Sequence, residues 1–218
     1  MAGPVRKSIL WLVLSGLERI AALCVLLALA PFMLIVAIAT AALSRTSPLI
    51  AHRRLGLGGS QLWVLKFRTM WPRVPRPPDG ARAAGRLALV EYVVDESGPR
   101  EKGAGDHRIC SRFARFCRRH SIDELPQLLH VVLGEMSLVG PRPITDSEWK
   151  LHYRPHAAEV LDVKPGLSGL WQTSGRSRLT YAQRRELDLV LVRNRSIKLY
   201  FQILLWTLPE IWSGRNAW

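Results

Sequence analysis

Residues 121–134 read Ser-Ile-Asp-Glu-Leu-Pro-Gln-Leu-Leu-His-Val-Val-Leu-Gly and combine the signals that begin and end a short helix. Pro126 lacks an amide hydrogen and is tolerated only in a first turn, so the helix is predicted to have Asp123 as its N-cap and to start at Glu124. Leucines and a valine recur at helical spacing, and Gly134 supplies the stop. The predicted helix therefore carries two adjacent carboxylates at the end whose free amide hydrogens suit a phosphate.

Two interpretations of this carboxylate pair stay open. Adjacent side chains on a helical turn diverge by roughly 100°, so one carboxylate can attack a substrate while the other holds a metal ion. Alternatively, Asp123 only caps the helix and Glu124 only complements the helix dipole.

The composition limits the classes of protein that fit. The chain has 218 residues, enough for one ordinary domain and a little more. Its formal net charge of +14 indicates an anionic partner, which can be nucleic acid, an anionic membrane or a phosphorylated substrate.

The three cysteines, Cys24, Cys110 and Cys117, argue against a disulfide framework and favour a reducing, cytosolic environment. Together with His107 and His120, two of them form a set that resembles metal ligands. The spacing matches no common zinc pattern, so we interpret the cysteines as buried or spectator residues.

The N-terminal part of the chain predicts a membrane segment. Residues 20–43 are uninterrupted by charge, residues 9–17 extend the apolar run, and about 20 apolar residues span a bilayer core. Pro31 lies at the centre, where it is expected to break or kink a helix. Basic residues, which prefer the cytoplasmic side, flank both ends: Arg6 and Lys7 before the run, and Arg45, Arg53 and Arg54 after it. These residues leave a single crossing and a re-entrant helix-break-helix hairpin equally open.

The rest of the chain gives weaker signals. Residues 61–67 predict a β-strand, in which Lys66 and Arg68 would share a face and either clamp an anion or remain solvated charges. Residues 87–94 fit a strand or a helical turn. Residues 109–120 predict a helix with a basic face, suited to a membrane surface, to bound phosphates or simply to solvent. Nucleic-acid binding is disfavoured, because no helix-turn-helix, zinc finger or RNP-type strand is present.

Four blocks of sequence, taken together, resemble a known family. They are Lys-Phe-Arg-Thr-Met at 66–70, Ser-Ile-Asp-Glu-Leu-Pro-Gln at 121–127, Gly-Glu-Met-Ser-Leu-Val-Gly-Pro-Arg-Pro at 134–143 and Lys-Pro-Gly-Leu-Ser-Gly-Leu-Trp-Gln-Thr-Ser-Gly-Arg at 164–176. In this order they look like the bacterial sugar transferase family, the monotopic phosphoglycosyl transferases that start glycan assembly on a polyprenyl carrier. The resemblance covers about residues 15 to 210.

The resemblance implies the roles of individual residues. Asp123 would be the nucleophile on the sugar-bearing phosphate, and Glu124 would be the ligand of a Mg²⁺ ion. The residues that would bind substrate are Lys66, Arg68, Arg118, Pro141, Arg142, Gln172, Arg176 and Asp188.

The resemblance also implies the fold and the location. The expected fold is α/β, mostly α, with a re-entrant membrane hairpin over residues 1–46 and a catalytic domain with a short β element over residues 47–218. Ala30-Pro31 stands where the family often has Ser-Pro, which favours re-entry over crossing. Residues 197–212 predict an apolar, amphipathic helix at the water–lipid boundary, with a buried core helix as the alternative. The chain resembles the minimal form of the family, on the cytoplasmic face of the bacterial inner membrane.

The implied reaction transfers a sugar 1-phosphate from a nucleotide-diphosphate sugar, expected to be a UDP-sugar, to undecaprenyl phosphate. UMP would leave as a covalent aspartyl-phosphosugar intermediate forms. The reaction would be the first membrane step of exopolysaccharide, O-antigen or glycoprotein glycan assembly. Anionic lipid is an expected partner, nucleic acid is not, and a homodimer is left open. The competing hypotheses are a non-catalytic, membrane-anchored binding protein and a metal-independent glycosyltransferase that releases UDP.

Two stretches depart from the family's pattern. Many members read Ser-Leu-Trp-Leu-Asp before the last helix, whereas this chain has Ser-Ile-Lys-Leu-Tyr at 196–200, so an acidic residue is replaced by Tyr200. His-Arg-Arg at 52–54 differs from the more usual Gln-Xaa-Arg. Both departures affect the expected contacts with substrate, and neither lies in the block that holds Asp123 and Glu124.

Overall fold

A computed structural model describes residues 9–71, 88–94, 111–154, 156–175 and 178–213. Helices dominate, and the described strands are few and short. The helices are α1 Ile9–Ser44, α2 Arg112–Arg119, α3 Leu128–Leu133, α4 Asp146–Glu148, α5 Ala157–Leu161, α6 Leu170–Thr173, α7 Tyr181–Arg193 and α8 Ile197–Ser213. The strands are β1 Leu49–Leu55, β2 Gln61–Phe67, β3 Val90–Val93, β4 Ser137–Val139 and β5 Gly166–Ser168. The predicted mostly helical α/β fold is confirmed.

The apolar N-terminal segment forms one long helix. α1 has 36 residues and continues through Pro31. The break that was predicted at this proline is therefore absent from the helix. The proline removes one backbone hydrogen bond, and the rest of the helix tolerates that loss. At a rise of about 1.5 Å per residue, a straight helix of this length would measure roughly 54 Å, well beyond the bilayer core of about 30 Å. Among the described helices, α1 is the one long and apolar enough to cross a membrane.

One face of α1 packs against the folded body along its whole length. Trp11 and Leu14 contact the apolar cluster around Tyr200 and Ile203. The middle of the helix, at Ala22 and Leu26, packs against the cluster around Leu62, Val64 and Met136. Its last part, at Met33, Val36 and Ala37, packs against Phe67 and Cys117. Both ends of α1 therefore lie against the same body, while the opposite face of the helix exposes leucines, isoleucines and valines.

The sheet places the first functional block. β1 pairs antiparallel with β2 and parallel with β3, in the order β2-β1-β3. The predicted strand at 61–67 is confirmed, and residues 90–93 are a strand rather than a helical turn. Lys66 pairs with Ile50 near the end of β2. Its side chain reaches the segment that carries the adjacent carboxylates, as described below.

A second, two-stranded sheet joins two of the sequence blocks. β4 and β5 run parallel, with Ser137 opposite Gly166 and Val139 opposite Ser168. A Cβ atom on Gly166 would lie 2.1 Å from the backbone nitrogen of Gly140, and one on Gly140 would lie 2.5 Å from the carbonyl oxygen of Lys164. Only glycine fits at both positions, because real Cβ atoms do not approach backbone this closely. The glycines thus allow residues 134–143 and 164–176 to meet.

The stretch 121–134 differs in detail from its predicted helix. Residues Ile122–Gln127 form a 3-10 helix, and the α-helix proper begins only at Leu128. Asp123 is therefore within the first turn of the 3-10 helix and is not an N-cap; Ser121 precedes that turn with φ 56°. Pro126 was expected in the first turn of an α-helix that starts at Glu124. It lies instead in the tight turns of the 3-10 helix. The predicted stop is confirmed, since Gly134 caps α3 with φ 81°.

The C-terminal helix has an apolar outer face. Tyr200 and Ile203 of α8 are buried, whereas Phe201, Leu205, Trp206, Leu208, Ile211 and Trp212 are exposed. The predicted helix is confirmed. The exposed apolar residues make α8 unlike a buried core helix, and they suit the boundary between water and lipid.

Candidate active site

Asp123 is a buried carboxylate beside several charges. The residue is 7% exposed. Burial is the main cause that raises its pKa to about 6, and the adjacent Glu124 raises it further, while Lys66 and Arg118 lower it. Few water molecules can reach a carboxylate that is buried in this way to form hydrogen bonds with it. It remains largely ionised at neutral pH, because the two cations offset part of the cost of burying its charge.

Glu124 is held by an ion pair across the chain. Its Oε1 atom lies 2.5 Å from Nζ of Lys66, and both side chains are partly exposed. The contact joins the 3-10 helix to the end of β2. The two carboxylates thus have different surroundings, because Asp123 is buried and Glu124 lies at a surface that solvent reaches.

Glu124 and Lys66 line an open cleft of about 290 Å³. The lining residues come from five parts of the chain and are Arg54, Val64, Lys66, Glu124, Gln127, Arg142, Pro143, Gly166, Leu167 and Gln172. The structure therefore brings together four of the predicted site residues, Lys66, Glu124, Arg142 and Gln172. Arg118 lies close enough to Asp123 for its charge to lower the pKa of that carboxyl.

Three of the other predicted residues that the structure describes, Arg68, Pro141 and Asp188, have different surroundings. Arg68 lies beyond the end of β2, where it donates to the carbonyl of Ser47 at 2.8 Å and pairs with Glu91. Pro141 lines a different pocket, of about 330 Å³, together with residues of α7 and α8. Arg176 lies outside the described residues, as do Arg6, Lys7, His107, Cys110 and Trp218.

Asp188 is completely buried. The hydroxyl group of Tyr153 donates a hydrogen bond of 2.8 Å to its Oδ2 atom. Burial raises the pKa of Asp188 to about 7, and Tyr153 and the backbone and charge of Arg142 oppose this rise. Asp188 is thus placed to position the Arg142 segment, and the expectation that it faces the substrate does not match its burial.

Arg184, which no sequence motif singled out, lies near Arg142. The guanidinium groups of Arg142 and Arg184 lie 5.4 Å and 5.1 Å from the ring centre of Trp171. The pKa of Arg184 is lowered by burial and by the charge of Arg142. Both guanidinium groups adjoin Trp171 and the charge of one affects the other, which is consistent with a site for phosphates. Arginine spacing alone did not single out Arg184, because its partners are distant in sequence.

His130, which no sequence motif singled out either, fixes β2 relative to α3. The backbone N–H of Leu65 donates to Nε2 of the imidazole at 3.1 Å, so the proton of a neutral ring is on Nδ1, which lies 2.6 Å from Glu135. His130 is buried. It therefore anchors the residue next to Lys66, and so helps to place that lysine at the cleft.

Glu18 joins α1 to the catalytic body through three hydrogen bonds to one oxygen atom. Its Oε1 accepts from the hydroxyl of Ser137 at 2.6 Å, from the backbone N–H of Leu138 at 3.1 Å and from the hydroxyl of Tyr200 at 2.5 Å. The departure at Tyr200 therefore lies in this buried network and not in the cleft. The departure at 52–54 does reach the cleft, because Arg54 lines it.

Zinc and Mg²⁺ are the two metals that the sequence brought into consideration. Within the described part of the chain, no group of three or more histidine, cysteine, aspartate and glutamate residues could hold a metal ion. Cys117 is buried, which raises its pKa to about 11, and Nδ1 of His120 donates to the carbonyl of Ile211 at 3.0 Å. The other two residues of the set noted from the sequence, His107 and Cys110, lie outside the described residues. Mg²⁺ needs only one or two carboxylates besides water and substrate phosphates, and Glu124 on the cleft wall fits that requirement.

Comparisons with known proteins point to one family. The family described as "Bacterial sugar transferase" matches residues 11–214. The exopolysaccharide production protein ExoY of Sinorhizobium fredii is 35% identical, over 90% of this chain and 84% of the relative. The UDP-glucose:undecaprenyl-phosphate glucose-1-phosphate transferase of Xanthomonas campestris is 31% identical, over 92% of this chain and 39% of its own length. The undecaprenyl-phosphate galactose phosphotransferase of Salmonella typhimurium is 38% identical, over 66% of this chain and 29% of its own length.

Proposed function

The chain belongs to the bacterial sugar transferase family and is a transferase, and from this premise we propose that it moves a sugar 1-phosphate from a nucleotide-diphosphate sugar to a polyprenyl phosphate. The donor we propose is a UDP-sugar, the acceptor undecaprenyl phosphate and the released product UMP. The names of the relatives support this choice, since one includes UDP-glucose and two include undecaprenyl phosphate. The same names support a role in glycan assembly on a lipid carrier, and the name of the ExoY relative supports exopolysaccharide as the product.

The observation that carries the proposal is the buried carboxylate of Asp123 beside a cleft lined by cations. Lys66, Arg54 and Arg142 line the cleft, and Arg118 lies near Asp123. Two phosphates of a nucleotide-diphosphate sugar bring negative charge that these residues would neutralise. A carboxylate at the edge of such a site can act as a nucleophile toward phosphorus once cations reduce the repulsion between the two anions.

The proposed reaction has two displacements. In the first, an oxygen of Asp123 attacks the sugar-bearing phosphorus, the bond to the bridging oxygen breaks, and UMP leaves with that electron pair. In the second, an oxygen of polyprenyl phosphate attacks the same phosphorus and releases the carboxylate of Asp123. Lys66 and Arg142 would bind the phosphate oxygens in both steps and hold them in line.

We propose Mg²⁺ as the cofactor, with Glu124 as its protein ligand. When bound, the ion would neutralise charge on the phosphates of the sugar donor. Lys66, which pairs with Glu124 in the structure, would then be released to contact a phosphate oxygen. Glu124 thus has two alternative partners of the same charge sign.

Release of nucleotide tests the proposed reaction. Purified full-length protein in detergent, given undecaprenyl phosphate, Mg²⁺ and a panel of UDP-sugars, is expected to release UMP with at least one of them. Release of UDP instead would identify a glycosyltransferase. No release from any UDP-sugar, together with tight, salt-sensitive binding of nucleic acid, would favour the non-catalytic binding protein.

We further propose that α1 enters the cytoplasmic leaflet of the inner membrane and returns, with both of its ends on the cytoplasmic side. The packing of Trp11 and of Val36 against one folded body supports this, because a crossing helix would carry one end away from that body. The apolar outer faces of α1 and α8 would contact lipid. Since α1 continues through Pro31, re-entry would need a bend within the helix and no break.

Cysteine labelling in cells tests this topology. Single cysteines introduced as Ser8→Cys and Thr46→Cys, in a chain without its three native cysteines, are both expected to react only from the cytoplasmic side. The flanking basic residues and the packing of both helix ends require the same result. Labelling of the two positions from opposite sides would show a transmembrane crossing and refute re-entry.

The pKa of Asp123 predicts how the first step depends on pH. Only the ionised carboxylate attacks, so the rate of adduct formation in a single turnover should fall about tenfold per unit as pH drops below about 6 and level off above it. Lys66→Gln removes a charge that lowers this pKa, so the inflection should move to higher pH. Arg53→Gln is the control, because Arg53 pairs with Asp146 and does not line the cleft. A rate that is constant between pH 5 and 8 would contradict the prediction.

A further inference from the structure

Gln127 is a buried polar residue on the cleft wall. It ends the 3-10 helix that carries Asp123 and Glu124, and it is 4% exposed. Its side-chain nitrogen Nε2 has no hydrogen-bond partner among the described residues. Gln127 lines the cleft together with Lys66, Glu124 and Arg142. An amide that is buried without a partner is costly, so such groups in folded proteins are usually satisfied by a water molecule or by a ligand.

The chemistry of the amide narrows the kind of group that would satisfy it. A carboxamide has both a hydrogen-bond donor and an acceptor, and rotation about its last torsion exchanges their positions. A hydroxyl group also both donates and accepts, whereas a phosphate oxygen only accepts. The cleft already offers Arg54, Lys66 and Arg142 for phosphate. The amide therefore complements a sugar hydroxyl better than a further phosphate oxygen.

The position of Gln127 along its helix agrees with this choice. A 3-10 helix rises about 2 Å per residue, so Gln127 lies roughly 8 Å along the axis from Asp123. A hexose joined to a phosphorus atom at Asp123 would extend over a comparable distance. Resting on the proposed function, we infer that the side-chain amide of Gln127 binds a hydroxyl group of the transferred sugar and so helps to select which sugar phosphate is transferred.

The test pairs changes in the protein with changes in the sugar. Wild type and Gln127→Met, which has similar volume and no amide, are assayed by UMP release with the UDP-hexose that wild type prefers. They are then assayed with the four analogues of that donor that each lack one hydroxyl. Gln127→Met is expected to lower kcat/KM for the complete donor by about 10- to 100-fold, because a polar group loses its partner. In wild type, kcat/KM for one deoxy analogue should be lower than kcat/KM for the complete donor by the same factor. For that analogue, wild type and variant should have equal kcat/KM.

The controls separate sugar recognition from folding. Gln61→Met changes an exposed glutamine at the start of β2 and should leave every rate unchanged. Thermal unfolding compares the stability of the variants. Where Gln127→Met is too unstable to assay, Gln127→Asn keeps an amide in the wall but is one methylene shorter, and it should show the same loss of selectivity.

Additive losses would overturn the inference. If removing each hydroxyl lowers kcat/KM by the same factor in the variants as in wild type, Gln127 does not bind a hydroxyl group. It then contacts a phosphate or a water molecule, or supports the fold. The same result follows if the Gln127 variants keep the kcat/KM of wild type. In either case the release of UMP by wild type still stands, so the failure of this inference is distinct from a failure of the proposed reaction.

Discussion

Asp123→Asn is expected to abolish both turnover and the covalent sugar-phosphate adduct. The change keeps the shape of the side chain but replaces the charged carboxylate with an amide. An amide is a very weak nucleophile toward phosphorus. Loss of a nucleophile typically costs on the order of 10³-fold or more in kcat. Release of UMP should fall by at least this factor. Mass spectrometry of intact wild-type protein, incubated with the sugar donor alone, should show an added sugar phosphate that the variant lacks.

Glu124→Gln is the matched comparison for Asp123→Asn, because it changes the neighbouring carboxylate in the same way. It should weaken the dependence of the rate on Mg²⁺ and leave the attacking group in place. The adduct should therefore form slowly and be restored in part by a high concentration of Mg²⁺. An adduct that persists in Asp123→Asn would assign the nucleophile to another residue. Initial-rate patterns that intersect, with no adduct in wild type, would indicate direct transfer with both substrates bound at once.

Tyr200→Asp should destabilise the fold strongly, although the family pattern that the sequence resembles has aspartate at this position. The hydroxyl of Tyr200 donates to Glu18, so an aspartate there would bury a second carboxylate near the first and leave a hydrogen bond unmade. The nearby cation Arg195 would then face two buried carboxylates, so one negative charge would stay without a cation, at a cost of roughly 3 kcal/mol. For a chain of this size, that cost lowers the midpoint of thermal unfolding by about 6–12 °C. Thermal unfolding in detergent is the measurement.

Two further variants identify the cause of that loss. Tyr200→Phe removes only one hydrogen bond to Glu18, which keeps its bonds from Ser137 and Leu138, and should cost about 1 kcal/mol. Combining Tyr200→Asp with Glu18→Gln removes one of the two charges and supplies an amide that can donate to the aspartate. The double variant should therefore recover much of the lost stability. If Tyr200→Asp is as stable as wild type, the pairing of Glu18 with Tyr200 does not stabilise the junction between α1 and α8.

Several local features followed from sequence signals that act over a few residues. The strand at 61–67, the stop at Gly134 and the C-terminal helix agree with the periodicity and the glycine signals that predicted them. The helix start at Glu124 was wrong, because Pro126 is compatible with a tight 3-10 turn as well as with the first turn of an α-helix. The uninterrupted α1 was also not expected from Pro31, since the neighbouring hydrogen bonds of a long helix hold it together across the missing one.

The predicted site was more uneven, and the reason lies in the direction of side chains. Lys66, Glu124, Arg142 and Gln172 meet at one cleft, as their motif blocks implied. Arg68 belongs to one of these blocks and Asp188 was implied by the same resemblance, yet Arg68 pairs with Glu91 and Asp188 is buried. A block of sequence indicates that its residues matter together. Whether a given side chain faces substrate or supports its neighbour depends on packing that the block does not encode.

By itself the sequence determined the family, the apolar N-terminal segment, the adjacent carboxylates and the excess of positive charge, because motifs and composition are properties of the chain read in order. Only the tertiary structure decided that Asp123 is buried, that Glu124 pairs with Lys66, and that Gln127 faces the cleft without a partner. The physical reason is that desolvation and hydrogen bonding depend on which distant segments come into contact. Glu18 and Tyr200, which share one short hydrogen bond, are 182 residues apart, and no local pattern links them.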